Sequence, residues 1–278
     1  MASVNKCHLI AIDCQGSIER VSFDFNKNVK SINSKENFLN PSDHIITLYH
    51  KMAVYIIDCR NSKVSYVSTE KIMTQKVQNL ENVEFIDPGI YDHTFFTISK
   101  TGSVYLWNSS KLDSPQLVLS VLSDSLKAAT ISQNFGVFVY ATNNGFCEIY
   151  SLNSKRFVNS VYLDGFVGQK VIITPKLGLI VVKTLKKIWV MTINGFVIKK
   201  VPFMHNLGVW TSWSSNKGID FISASDCNGN VWLFEAYFPE KATIIKSCHD
   251  AVVGIEYDPN NICLLIVTMK PKLHIVSI

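Results

Sequence analysis

Seven histidines, at positions 8, 44, 50, 93, 205, 249 and 274, are the side chains in this chain best suited to hold a metal or move a proton. They are scattered, and the only His next to Cys occur in Cys7-His8 and Cys248-His249. In an extended backbone adjacent side chains point to opposite faces, so neither pair can present two ligands to one ion. The sequence contains no HExxH, GxSxG, GxGxxG or P-loop pattern. Gly165-Phe-Val-Gly168-Gln-Lys170 resembles a phosphate loop but is two residues short between its glycines and lacks the Ser or Thr after the lysine. Asp24, Asp87, Asp164, Asp220 and Asp258 border turns, where an aspartate hydrogen-bonds local backbone more often than it does acid-base work. These patterns predict no catalytic residue, no metal and no cofactor. A hydrolase would need several carboxylates to converge from separate segments, and it ranks third among the functional readings.

Charge gives a stronger signal. Of 27 Lys and Arg, only Arg20, Arg60 and Arg156 are arginines, and the net charge is +5. Forked contacts to phosphates and bases favour arginine, so this composition argues against a nucleic-acid binder. The lysines cluster in a set of short turns: Cys14-Gln-Gly16, Tyr49-His-Lys-Met52, Ser99-Lys-Thr-Gly102, Asn143-Asn-Gly145, Lys183-Thr-Leu-Lys-Lys187, Asp226-Cys-Asn-Gly229 and Met269-Lys-Pro-Lys272. Lys51, Lys100, Lys183, Lys186, Lys187, Lys270 and Lys272 fall there, against Asp13 and Asp226 alone. If those turns share one face, a field of one sign would gather acidic partners. The expected partners are acidic protein segments; the alternative is the anionic surface of a membrane, where each lysine contributes on the order of 1 kcal/mol.

The turns are positioned by a repeat. Apolar strands end in an aliphatic, aromatic or methionine residue followed by a small or acidic polar one at Val21-Ser22, Ile57-Asp58, Trp107-Asn108, Tyr150-Ser151, Met191-Thr192, Phe234-Glu235 and Val276-Ser277. Subtracting successive first members gives spacings of 36, 50, 43, 41, 43 and 42 residues. A unit of roughly 40 residues cannot bury its own apolar face and must stack on its neighbours. Within each unit Val, Ile, Phe and Tyr fill the strands, and Gly or Asn-Gly marks the tight turn. Strands apolar on both faces, such as Leu179-Ile-Val-Val182 and Leu264-Leu-Ile-Val267, require cover on both sides. Trp210 and Trp213, three apart in a strand, are expected to serve two core faces. The predicted fold is all-β: one seven-bladed β-propeller of four-stranded antiparallel blades over residues 1–278. The last blade runs out of chain after Val276, so it is expected to lack its outer strand and expose an edge.

The blades resemble WD40 repeats, with Trp107-Asn108 standing where that family places Trp-Asp. No blade has the literal Trp-Asp, and no Gly-His precedes one, so the blades are expected to rely more on packing than on the polar network of the family. The stretch from Ile188 to Phe238 is similar to the C-terminal propeller of BEACH-domain proteins through Thr192-Ile-Asn-Gly195, Asp220-Phe-Ile and Asn228-Gly-Asn-Val-Trp-Leu-Phe-Glu235. That resemblance implies a cytoplasmic scaffold in vesicle or membrane traffic.

Bulk composition agrees with this class. Hydrophobic residues make up 47 % and charged ones 18 % of 278 residues, enough for a core and outside the range of disorder. No run of about 18 uncharged apolar residues suggests a spanning helix. The seven cysteines are odd in number and form no CxxC pair, which suits free thiols in a reducing compartment. Cytoplasmic localisation, peripheral to membranes, is the expectation.

Overall fold

A computed structural model describes residues 83–87, 94–108, 111, 114–121, 126–270 and 272–278 with their side chains, and positions 6–12, 17–24, 27–37, 44–48, 53–58, 63–68, 72–76, 88, 112 and 113 as backbone. The chain divides into two compact units, Met1–Asp124 and Ser125–Ile278.

Strands follow one another along the sequence, each pairing antiparallel with the next. In unit 1 the first sheet holds β1 (Lys6–Ile12), β2 (Ser17–Asp24) and β3 (Lys27–Asn37). The second holds β4 (His44–Leu48), β5 (Ala53–Asp58), β6 (Lys63–Ser68) and β7 (Ile72–Lys76). The third holds β8 (Val83–Pro88), β9 (Thr94–Ser99), β10 (Ser103–Asn108) and β11 (Lys111–Ser120). Unit 2 opens with β12 (Leu126–Ser132), β13 (Val137–Thr142), β14 (Phe146–Ser151) and β15 (Arg156–Tyr162) as the fourth sheet. The fifth comprises β16 (Gly168–Ile173), β17 (Ile180–Thr184), β18 (Lys187–Met191) and β19 (Val197–Pro202). In the sixth are β20 (Leu207–Ser214), β21 (Asp220–Asp226), β22 (Asn230–Glu235) and β23 (Thr243–Ser247), and in the seventh β24 (Val252–Asp258), β25 (Cys263–Thr268) and β26 (Leu273–Ser277). The described residues form small consecutive antiparallel sheets, seven of them among those residues, and a β-propeller is built of such sheets.

The burial gradient across each sheet explains the sequence pattern. Second strands such as Val137–Thr142 and Ile180–Thr184 are buried at every residue, and Ile180–Thr184 is covered on both faces, by the fourth sheet over Val182 and by the sixth over Val181. Fourth strands such as Arg156–Tyr162 and Thr243–Ser247 are mostly solvent-exposed. In unit 2 the core lies between sheets: Val139, Ile149, Val182 and Trp189 join the fourth and fifth, and Val181, Ile188, Ile222 and Phe234 the fifth and sixth. Trp213 packs with Ile255 and Leu264 of the seventh sheet, while Trp210 lies on the opposite cluster, as their spacing predicts.

Two expectations change. Ile57-Asp58 ends β5, the second strand of its sheet, whereas every matching pair from Trp107 onward ends a third strand. The matching third strand is β6, which ends in Val67-Ser68. From Val67 to Trp107 the spacing becomes 107 − 67 = 40 residues in place of 50, while Val21-Ser22 lies inside β2, the second described strand of its sheet, and ends no strand. Packing also does not wholly replace polar contacts. Trp107 Nε1 donates to Thr97 Oγ1 at 2.8 Å in the interior, and Trp213 Nε1 donates to Ser223 Oγ at 3.0 Å. A buried indole N–H that finds a hydroxyl avoids the cost of an unsatisfied donor.

Candidate docking face

Every complete sheet turns between its second and third strands at one end, and between its outer pairs at the other. Within unit 2 the sheets share one orientation. A Cβ on Gly178, in the turn after β16, would lie 2.8 Å from the Phe135 ring in the turn after β12. Leu177 N–H in that same turn donates to Asp220 Oδ2, at the start of β21, at 2.7 Å. The turns between second and third strands, at 143–145, 185–186, 227–229 and 269–272, therefore gather at the opposite end.

Their backbone is tightly specified. Gly229 has φ +77°, and a Cβ there would stand 2.2 Å from the Asp250 carbonyl oxygen, so both conformation and space require glycine. Asp226 closes the same turn. Its buried carboxylate accepts the N–H groups of Asn228 (2.9 Å) and Asn230 (3.0 Å), the Asn230 amide (3.0 Å) and Trp232 Nε1 (2.9 Å). Burial pulls this carboxyl upward, but the Trp232 and Asn230 donors outweigh it and hold it below the ordinary carboxylate range. A carboxylate so depressed contributes stability that is present above the unfolded pKa and is lost as pH falls through the lower folded value. Asp226→Ala is expected to cost about 2–4 kcal/mol, since it strands buried donors. The loss, measured by urea unfolding at pH 7, should shrink as the pH is lowered below the usual carboxylate range.

The lysines separate into three groups. Lys186, Lys270 and Lys272 are exposed at turn tips of unit 2, with Lys186 Nζ 5.4 Å from the Phe166 ring centre. Lys100 is exposed at the equivalent turn of unit 1, with Nζ 3.5 Å from Glu84 Oε2. Lys187 is half-buried and compensated: its Nζ donates to Asp164 Oδ2 at 2.8 Å, and Lys200 reaches the other oxygen at 3.3 Å. The hydrogen bond from Lys187 is the main reason the Asp164 carboxyl sits low. Lys51 lies outside the described residues, and its flanking strands β4 and β5 are the first and second of their sheet, so its turn is not equivalent to the others.

Lys183 departs most from the sequence expectation. It is the penultimate residue of β17, fully buried, and its ammonium donates to the carbonyls of Thr184 and of Leu185, the latter at 3.2 Å. Burial pushes it down to about 8. It cannot meet a partner at the surface.

The same end of unit 2 carries apolar tips that the charge pattern hid. Leu185 is 47 % exposed, Met204 67 % and Met269 73 %. Two of them stand inside the lysine-rich turns and could have been read from the sequence; Met204 lies in the link between β19 and β20. Among the described residues no group of three or more His, Cys, Asp or Glu could hold a metal, and no helix is long and apolar enough to cross a membrane.

No family model and no curated protein matches the chain. Solved structures do. A chain of the "Crystal Structure of Mitotic Checkpoint Complex" is 11 % identical, with 100 % of this chain and 90 % of that one covered and a TM-score of 0.67. A chain of "COPII on membranes, outer coat vertex" is 15 % identical over 96 % of this chain and 78 % of that one, also at 0.67. The computationally designed Ika8 protein is 11 % identical over 100 % and 95 %, at 0.63. At such identities the likeness is one of fold, and the chain has the fold of a β-propeller.

Proposed function

We propose that residues 1–278 act as one domain and serve as a non-catalytic protein-interaction platform. Partners dock acidic segments on the end of the sheets that carries Lys186, Lys270 and Lys272, with Lys100 at the same position in unit 1. The observation that carries this reading is the alternation of exposed lysines with Leu185, Met204 and Met269 on one end of unit 2. Apolar tips supply desolvated contact area, and the surrounding cations steer approach and select acidic partners. The similarity of Ile188 to Phe238 to BEACH-domain propellers, and the likeness to a chain of a COPII coat structure, support a place in vesicle traffic at the cytoplasmic side of membranes.

The test is affinity capture from native lysate at near-physiological salt. Lys100, Lys186, Lys270 and Lys272 are changed together to Glu, leaving buried Lys183 and paired Lys187 intact. Proteins retained by the wild type should be lost with the variant and should elute as salt rises, because exposed charges are screened within about 8–10 Å. An identical protein set on both baits contradicts the reading. Binding of the wild type to anionic vesicles with no protein retained would favour the lipid alternative.

A further inference from the structure

The links from third to fourth strand in unit 2 run over 152–155, 192–196 and 236–242, and the last is the longest. It carries two rings side by side. Tyr237 and Phe238 have their ring centres 5.1 Å apart and their planes inclined by 70°. The backbone beneath them is tied down: Phe238 N–H donates to the Glu235 carbonyl at 2.9 Å, and Lys241 N–H donates to the Phe238 carbonyl at 3.0 Å. Pro239 is buried in the single 3-10 turn that follows, while Tyr237 is 38 % exposed and Phe238 is half-buried. The other two links turn with fewer residues, and a longer link that leaves aromatic side chains near the surface is where binding residues concentrate.

Both rings face one ammonium. Lys199 pairs opposite Val190, an interior residue between the fifth and sixth sheets, so its stem leaves β19 toward the sixth sheet. Its Nζ stands 4.2 Å from the Phe238 ring centre, 5.2 Å from that of Tyr237 and 2.8 Å from Glu240 Oε1. Two steeply inclined π faces and a carboxylate around one point make a cation site, because all three present negative charge to its centre. Among the described residues Lys199 is the one lysine that meets two rings and a carboxylate together; Lys200 meets one ring, Trp189, and Asp164. The lysine in this site is held weakly. Its side chain is 25 % exposed and that of Glu240 41 %, and exposed ion pairs and exposed cation–π contacts each contribute little.

We propose that this site takes an alkylated ammonium from outside the chain, the group shared by a trimethyl-lysine side chain and a choline head group, in exchange for Lys199. An unmodified ammonium from a partner gains nothing over the one already tethered there, whose effective concentration is high. A quaternary ammonium is less strongly hydrated than that of lysine. It keeps both ring faces and the attraction of Glu240, and it gives up less on leaving water. Lys199 then swings into solvent, which its present exposure allows. The link 236–242 lies at the end of the sheets opposite the turns of Lys186, Lys270 and Lys272, so the site uses none of those charges.

The probes are a short glycine-alanine peptide with one trimethyl-lysine, the same peptide with unmodified lysine, and phosphocholine, each titrated calorimetrically into the full chain. Lys199→Ala, which empties the site, is expected to bind the trimethyl-lysine peptide or phosphocholine saturably, and about tenfold more tightly than the wild type does. The unmodified peptide should bind at least about tenfold more weakly than its trimethylated form. Adding Phe238→Ala to Lys199→Ala should abolish binding, and adding Phe238→Tyr should preserve it. Tyr237→Ser removes an exposed ring and should weaken binding at an unchanged melting temperature, a test that holds even if Phe238→Ala fails to fold. Tighter binding of the peptide assigns the ligand to a methylated protein segment, and tighter binding of phosphocholine assigns it to a choline head group. The proposal is overturned if Lys199→Ala binds neither ligand, binds both peptides equally, binds no more tightly than the wild type, or binds as well without the Tyr237 ring.

Discussion

Trp213→Ala should unfold at markedly lower urea than the wild type, with a loss of about 3–5 kcal/mol, the range for truncating a large buried aromatic. The indole is 6 % exposed and lies between Phe221 and Tyr257, with ring centres 4.7 and 4.1 Å away and near-parallel planes. Phe221 belongs to its own sheet and Tyr257 to the next, so the ring bonds the sixth sheet to the seventh. Truncation would leave a cavity at a sheet-to-sheet contact, where rigid strands cannot collapse into it. Trp213→Phe keeps most of the stack but removes the donor to Ser223 Oγ, and about 1–2 kcal/mol is expected. If the two substitutions cost the same, the hydrogen bond rather than the stacking governs this junction.

Lys183→Met is expected to stabilise the protein at neutral pH, an unusual direction for a core substitution. The folded chain holds this ammonium to about 8 and the unfolded chain to 10.5, because burial disfavours the charge. Below pH 8 both states are protonated and the full penalty of burying the cation is present, about 3 kcal/mol for a shift of this size. Between pH 8 and 10.5 the unfolded state binds more protons, so wild-type stability rises across that window. Methionine fills a similar volume without the charge but forfeits the donation to Thr184 and Leu185 carbonyls. A net gain of about 1–3 kcal/mol at pH 7 should result, together with loss of the rise between pH 8 and 10.5. Urea unfolding of both proteins at pH 7 and pH 10 measures it. A docking role for Lys183 would instead leave stability unchanged and reduce partner capture.

The parts legible from sequence and the parts that were not differ for physical reasons. The third to sixth repeats could be read because their strands end abruptly and Gly102, Gly145 and Gly229 mark the central turns. In the second repeat β5 and β6 both end in an apolar-polar pair, and Cys59-Arg-Asn-Ser62 offers no glycine to show which turn is central, so the sequence alone does not fix its register. Lys183 departs from the sequence expectation because a strand covered on both faces has no solvent side for a lysine to occupy, and its neighbours Ile180, Val181 and Val182 are the sequence sign of such a strand. Thr97 and Ser223, each a polar residue inside an apolar strand, were the available signs of indole partners. The compensation of Lys187 by Asp164 joins residues 23 apart through the packing of two sheets, which no local pattern encodes.

The central claim is that partners approach one end of the sheets of unit 2. Photocrosslinking tests it most directly, with a benzophenone side chain placed singly at Leu185, Met204 or Met269, and at Leu177, Phe196 or Ile262 on the opposite end, all exposed in the structure. Adducts with captured proteins from the first three positions and none from the second three are the predicted result. Adducts confined to Leu177, Phe196 and Ile262 would contradict the account and move the docking surface to the other end.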